Sequence, residues 1–95
     1  MNPEVAHRPE AGCFELLLDG QRCELDYRLQ SGVMAITHTG VPRALEGRGL
    51  AARLVQAALA HARAEGLRVR PVCSYVATYM RRHPETQDLL EPHAP

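Results

Sequence analysis

The chain has 95 residues, the size of one small domain with a single core. Its 11 basic and 11 acidic residues give a formal net charge of zero, and no stretch is apolar enough to span a membrane. We therefore expect neither nucleic acid nor a membrane as a partner. The three cysteines are widely spaced, without a CxxC or Cys/His pattern, so we expect free thiols, no metal and a cytoplasmic location.

The first half of the chain alternates between apolar and polar residues, which indicates β-strands. Before it, residues 1–11 carry two prolines and no periodic pattern, and we expect a frayed lead-in. Asp19-Gly20 and Ser31-Gly32 are typical turn pairs between strands. We therefore predict three strands in an antiparallel meander. They occupy residues 13–18, 23–29 and 33–39.

After Val41-Pro42 the hydrophobic period changes to that of a helix, which Gly66 is placed to cap. Six apolar residues form one stripe of this helix. They are Leu50, Leu54, Val55, Ala58, Leu59 and Ala62. A fourth strand is predicted from Leu67 to Cys73.

A second helix is predicted from a Ser74 cap to about His83, where Pro84 follows. The order β-β-β-α-β-α predicts an α+β domain over residues 12–90 with a mostly antiparallel sheet. We expect residues 91–95 to form a frayed tail.

Gly47 and Gly49 stand directly before the long helix. Glycine lets the backbone approach a ligand closely, and the first turn of a helix offers unpaired N–H groups to an anion. This turn is therefore a candidate phosphate site, to which Arg48, with Arg43 or Arg53, would add positive charge. The alternative interpretation is that both glycines only shape the loop that enters the helix.

Several motifs, taken in this order, resemble those of the GCN5-related N-acetyltransferases, and most closely the minimal, single-domain branch of that superfamily. The motifs are HTGVP (38–42), LEGRGLA (45–51), PVCSYV (71–76) and HPE (83–85) with Asp88-Leu89. The resemblance implies a sheet in which two strands splay apart, with acetyl-CoA in the gap between them. It also implies transfer of the acetyl group to an amine.

The resemblance further implies which residues hold acetyl-CoA. The glycine turn would take the pyrophosphate, and the HTGVP strand would run beside the pantetheine arm, where a backbone N–H would polarise the thioester carbonyl. Independently, Pro71 cannot donate to a sheet ladder, so strand 67–73 should lose its pairing where the gap opens. The candidate cofactor-binding residues are His38, Thr39, Gly40, Val41, Gly47, Arg48, Gly49, Leu50, Ala51, Cys73 and Tyr79.

Cys73 is the first catalytic candidate, because a helix N-terminus directly after it would stabilise a thiolate. On the resemblance it would carry the acetyl group as a nucleophile, or protonate the leaving CoA thiolate as a general acid. The alternative is a buried packing residue, the usual fate of a free cysteine. Cys13 and Cys23 lie on strand patterns and are expected in the core.

His38 and Tyr79 are the other catalytic candidates. By alternation His38 shares a face with Met34 and Ile36, which favours packing in the core or at its rim over the role of general base. The resemblance makes Tyr79 a candidate general acid toward the CoA sulfur, with core packing as the alternative. Relatives in the minimal branch commonly carry Glu where this chain has Gly40, so a base at that position is missing.

The predicted function is therefore acetyl-CoA-dependent N-acetyl transfer to an amine, through or assisted by Cys73. A protein or peptide acceptor is favoured, because so short a chain leaves the acceptor side of the site open. The alternative is a catalytically weak CoA-binding module, which Gly40 favours. A nucleic-acid binder that uses the arginines of residues 48–70 is disfavoured by the zero net charge. We expect a monomer or a weak homodimer.

Overall fold

The computed structural model describes residues 3–92 as an α+β domain built on a five-stranded sheet. Neighbouring strands follow the chain order, and the β4–β5 pair is parallel while the other pairs are antiparallel. The elements are β1 (Ala6–Arg8), β2 (Cys13–Leu18), β3 (Gln21–Gln30), β4 (Val33–Gly40), α1 (Leu50–Ala64), β5 (Arg68–Pro71) and α2 (Ser74–Arg82). Short 3-10 turns occupy Pro9–Ala11, Arg43–Leu45 and Pro84–Leu89.

The N-terminal segment predicted to fray contains the edge strand β1, so that prediction was wrong for residues 6–8. Ala6 pairs with Glu15, and the ring of His7 stacks on Phe14 at 4.1 Å between centroids. The His7 Nε2 also lies 2.6 Å from the hydroxyl of Tyr27. Three residues are too few for a periodic pattern, and these cross-strand contacts stabilise the strand instead. Residues 1 and 2 lie outside the described part of the chain.

Helix α1 covers one face of the sheet, and its buried residues are the six that the hydrophobic stripe predicted. Gly66 follows the helix with φ +69°. Leu67 N donates to Ala62 O at 2.8 Å and Gly66 N to Arg63 O at 3.3 Å, the two bonds of a Schellman motif. Cys13 and Cys23 are buried and free, as predicted.

A β-bulge in β4 changes the side of the sheet on which its last residues lie. Tyr27 pairs with Ile36 and Asp26 with His38, so Thr37 is an extra residue on β4. Side chains alternate along a strand, so one extra residue moves every later side chain to the opposite face. The prediction that His38 shares a face with Met34 and Ile36 was therefore wrong.

The C-terminal segment is attached to the edge of β5, so the frayed tail predicted from residue 91 was wrong for Glu91. Its backbone N–H donates to Val69 O at 2.9 Å, and Arg70 donates to both of its carboxylate oxygens at 2.7 Å. Residues 93–95 lie outside the described part of the chain. None of the described helices is both long and apolar enough to cross a bilayer.

Candidate active site

The β4–β5 pair opens into a gap at Pro71. The parallel ladder ends with Ile36 opposite Pro71, and Cys73 N then donates to Ile36 O at 2.9 Å. Beyond this point β4 continues to Gly40 along β3, while the chain after β5 turns into α2. The loss of pairing that Pro71 predicted is confirmed.

Cys73 lies at the edge of this gap and occupies the N-cap position of α2. The helix itself begins at Ser74, which the sequence had indicated as the cap. Cys73 is partly buried, and its thiol donates to the hydroxyl of Thr39 on β4 at 3.7 Å.

Several hydrogen bonds favour the thiolate form of Cys73. Partial burial acts to raise its pKa. This effect is outweighed by the hydrogen bonds that the thiolate accepts from the Val76 amide, the Thr39 side chain, and the Tyr75 and Thr39 amides. The net result is a pKa below the ordinary value of a thiol. A helix N-terminus next to a partly exposed cysteine is a setting in which thiolates react.

The glycine turn before α1 is open on its outer side. Gly47 and Gly49 have φ of +83° and +76°, a backbone region that other residues rarely adopt. A Cβ built on either residue would meet no atom within 4 Å. The first amides of α1 are therefore accessible to an anion. Arg48 is exposed beside them, with its guanidinium 3.4 Å from Asp19.

A cavity of about 270 Å³ extends from the glycine turn toward α2. Its lining includes five of the predicted cofactor-binding residues, together with Tyr75, which the sequence had left aside. These five are Val41, Gly47, Gly49, Leu50 and Ala51. Tyr75 follows Cys73 by two residues, so this end of the cavity lies at the first turn of α2, and Cys73 itself does not line the cavity.

Tyr79 has a different setting from Tyr75. Its ring stacks on His83 with centroids 3.9 Å apart, and it packs against the core. This arrangement matches the packing interpretation of Tyr79. Four-residue spacing places Tyr75 and Tyr79 on one side of α2, but only the tertiary structure distinguishes their surroundings.

A larger concavity of about 850 Å³ lies between β5, α2 and the C-terminal segment. Val69, Pro71, Met80 and Leu90 contribute to its lining. It does not include the glycine turn, so we take the smaller cavity as the candidate site.

The bulge places His38 in a polar cluster on the outer face of the sheet. His38 is 54% exposed, and its Nε2 lies 3.3 Å from Glu24 Oε2. The ligand atoms of Glu24, Asp26 and His38 lie within 4.8 Å of one another. Exposed acidic groups are common without a metal ion, and we assign none here.

The site combines two strands that part at a proline, an open glycine turn before a helix, and a thiol at the edge of the gap. Accordingly, a family model described as GCN5-related N-acetyl-transferase matches residues 13–89. The chain belongs to this family. The predicted family is confirmed, and so is the predicted α+β fold with a mostly antiparallel sheet and two strands that splay apart.

Similar proteins cover nearly the whole chain. Protein NATD1 of Gallus gallus is 33% identical over 89 residues, which are 90% of this chain and 81% of that protein. Protein NATD1 of Bos taurus is 37% identical over 96 residues and covers 85% of each chain. The NMR structure of a GCN5-like proposed N-acetyltransferase from Staphylococcus aureus aligns with a TM-score of 0.75 at 26% identity. The alignment covers 96% of this chain and 90% of the Staphylococcus aureus chain.

Proposed function

We propose that the protein is an acetyl-CoA-dependent N-acetyltransferase that moves the acetyl group to a primary amine through Cys73. The observation that carries this proposal is the position of Cys73. Its thiol contacts Thr39 across the strand gap, and Cys73 precedes by two residues Tyr75, which lines the cavity of the glycine turn. Family membership supports the same activity.

The open glycine turn fits the diphosphate of CoA. Gly47 and Gly49 leave space above the first amides of α1, which donate hydrogen bonds and carry the positive end of the helix dipole. Arg48 would exchange its contact with Asp19 for one with a phosphate. Val41 and Tyr75 supply apolar surface for the pantetheine arm.

Acetyl-CoA supplies an activated acyl group as a thioester. In the first step the Cys73 thiolate attacks the carbonyl carbon, the carbon–sulfur bond to CoA breaks, and the CoA sulfur leaves with the electron pair and takes a proton from solvent. In the second step an amine attacks the acetyl carbon on Cys73, loses a proton and releases the thiolate. The lowered pKa of Cys73 favours this role over that of general acid.

A protein or peptide is the favoured acceptor. The side chains that flank the gap after β5 are exposed, with Val72 at 60% and Tyr75 at 42% of their full accessibility. Such a rim suits an extended chain that lies across the gap better than it suits a small metabolite, which is usually enclosed on most sides.

The test combines calorimetric titration with acetyl-CoA and intact mass spectrometry of the wild type, Cys73→Ala and Cys13→Ala. Cys13 is the matched control, because it is a free thiol on β2 that lies in the core. We expect all three proteins to bind acetyl-CoA, and we expect an acetyl adduct on the wild type and Cys13→Ala but not on Cys73→Ala. An adduct that persists in Cys73→Ala would contradict the covalent role.

A CoA-binding module with little catalysis is the second candidate, because Gly40 offers no side chain to the gap. Binding of acetyl-CoA without an adduct and without acetylation of any amine would favour this module. Absence of binding would remove both candidates.

A further inference from the structure

We propose that Glu24 is a positioning residue, which holds His38 as the group that takes the proton from the acceptor amine. This inference rests on the proposed N-acetyltransferase activity. It gives the reaction a base, which Gly40 cannot supply because it has no side chain.

The first support is the β-bulge at Thr37, which places His38 beside β3 on the solvent side of the sheet. The last β4 residue that pairs with β5 is Ile36, two residues before His38, so the backbone of His38 lies just beyond the end of this ladder. Glu24 lies directly opposite Gly40 on the neighbouring strand. The carboxylate and the imidazole meet at 3.3 Å above this pair.

The second support is the absence of a side chain at Gly40. A Cβ there would stand 2.9 Å from His38 Nε2 and 3.6 Å from Glu24 Oε2. The first distance is shorter than real Cβ contacts, so the imidazole would have to move. Glycine therefore allows the imidazole to lie over β4, and the carboxylate comes from β3.

The third support is that Glu24 is itself held in place. Arg22 forms an ion pair with Glu24, and its Nε donates to Glu15 Oε1 at 3.2 Å. Asp26 is the other charged group near the imidazole. A carboxylate fixed by a second ion pair orients its histidine partner with little loss of side-chain entropy at the time of reaction.

The arrangement assigns a proton position to each nitrogen of His38. A carboxylate beside Nε2 favours the neutral tautomer with its proton on Nε2, which leaves the lone pair on Nδ1. The acceptor arrives as an ammonium ion and gives one proton to Nδ1, and its free electron pair then attacks the acetyl carbon. The exposed imidazolium returns the proton to water. The second nitrogen proton goes to solvent as the acetyl–sulfur bond breaks, and Cys73 leaves as a thiolate.

The first test measures the position of the His38 imidazole, and it needs no acceptor amine. In the wild type we expect a nuclear Overhauser effect between the His38 Hε1 and a Gly40 Hα, because the Cε1 lies 3.6 Å from the site of a Gly40 Cβ. In Glu24→Ala this signal should weaken. Its absence from the wild type, or equal strength in both proteins, would refute the positioning role.

The second test measures transfer to a short unstructured peptide with one lysine and a blocked N-terminus. Glu24→Ala should lower kcat about tenfold or more, and His38→Ala about a hundredfold, with the KM for acetyl-CoA unchanged. Added imidazole should restore part of the turnover of His38→Ala. The control is Glu65→Ala, an exposed glutamate at the end of α1, and should match the wild type.

The outcomes separate this inference from the function on which it rests. A wild type that acetylates neither Cys73 nor the peptide would refute the proposed function, and the base assignment with it. An active wild type with equally active Glu24→Ala and His38→Ala would refute the base assignment alone. Loss of acetyl-CoA affinity in Glu24→Ala would indicate a structural role and contradict positioning.

Discussion

The Cys73 thiol and the Thr39 hydroxyl lie 3.7 Å apart, where β4 and β5 separate. Cys73 is the N-cap of α2, two residues after β5 ends, and Thr39 belongs to β4, which continues along β3. Their contact joins the two sides of the gap. It also makes the reactivity of the thiol depend on β4 as well as on the N-terminus of α2.

The substitution Thr39→Val should raise the pKa of Cys73, because the thiolate loses a hydrogen bond from the hydroxyl. A higher pKa leaves less thiolate near neutral pH, so alkylation by iodoacetamide should be several-fold slower there. The measurement is the alkylation rate against pH. Thr37→Val is the matched control, since the Thr37 hydroxyl donates to Asp26 O instead. Equal rates in both variants would contradict the prediction.

The glycine turn can be tested with two glycines of nearly equal φ. Gly49 (φ +76°) precedes α1, whereas Gly32 (φ +77°) lies in the β3–β4 turn at the opposite end of β4. Alanine at either position should cost about 1–2 kcal/mol of unfolding free energy through the left-handed backbone. Only Gly49→Ala should also weaken acetyl-CoA binding, by about tenfold, through loss of amide contacts to a phosphate. Equal affinities, measured by calorimetry, would exclude the turn as the phosphate site.

Substitution of Tyr75 should affect acetyl-CoA binding, whereas substitution of Tyr79 should affect the stability of the fold. Tyr75→Ala removes part of the cavity wall and should weaken acetyl-CoA binding about tenfold with little effect on stability. Tyr79→Ala removes a ring stacked on His83 and packed on the core, and should cost about 1–2 kcal/mol of stability. Calorimetry and urea unfolding of both variants would check this. Weaker acetyl-CoA binding in Tyr79→Ala, with unchanged binding in Tyr75→Ala, would contradict this and place Tyr79 in the binding site.

Stability should fall in mild acid because of His7. Burial lowers the pKa of His7 from 6.5, the facing imidazole of His61 lowers it further, and Glu10 opposes this. A lowered folded-state pKa means that the stabilisation is fully present above pH 6.5 and is lost as the pH falls through the folded-state value. Urea unfolding across this range should show the decline.

The matched variant for this pH dependence is His7→Phe, which keeps an aromatic ring beside Phe14 but cannot titrate. It removes the partner of the Tyr27 hydroxyl and so lowers stability at every pH. The quantity to compare is therefore the slope of unfolding free energy against pH, which should be shallower in the variant. An unchanged slope would assign the acid sensitivity to other groups.

The sequence predicted the structure correctly where its signal lies in neighbouring residues, as in a hydrophobic period or a proline. The stripe from Leu50 to Ala62 predicted the buried face of α1, because a helix of this length repeats its period several times. Pro71 predicted the end of the β4–β5 ladder, because proline lacks the N–H that a ladder requires. The motifs predicted the family, which the family model confirms.

The errors have one physical origin, which is contact between residues distant in the chain. β1 is too short to have a period and depends on Phe14 and Tyr27. The bulge at Thr37 leaves the alternation of letters unchanged and yet reverses the face of His38. Tyr75 lines the cavity because of where α2 packs, and no neighbouring residue indicates this.

The sequence by itself determined strands β2 to β5, both helices, the glycine turn, the position of a thiol before a helix, and the family. These features depend on the period of the side chains, on backbone freedom at glycine and proline, and on residue order. Only the tertiary structure decided that Cys73 contacts Thr39, that Tyr75 lines the cavity, and that His38 meets Glu24. Each of these contacts depends on strand register and helix packing, which the whole core sets together.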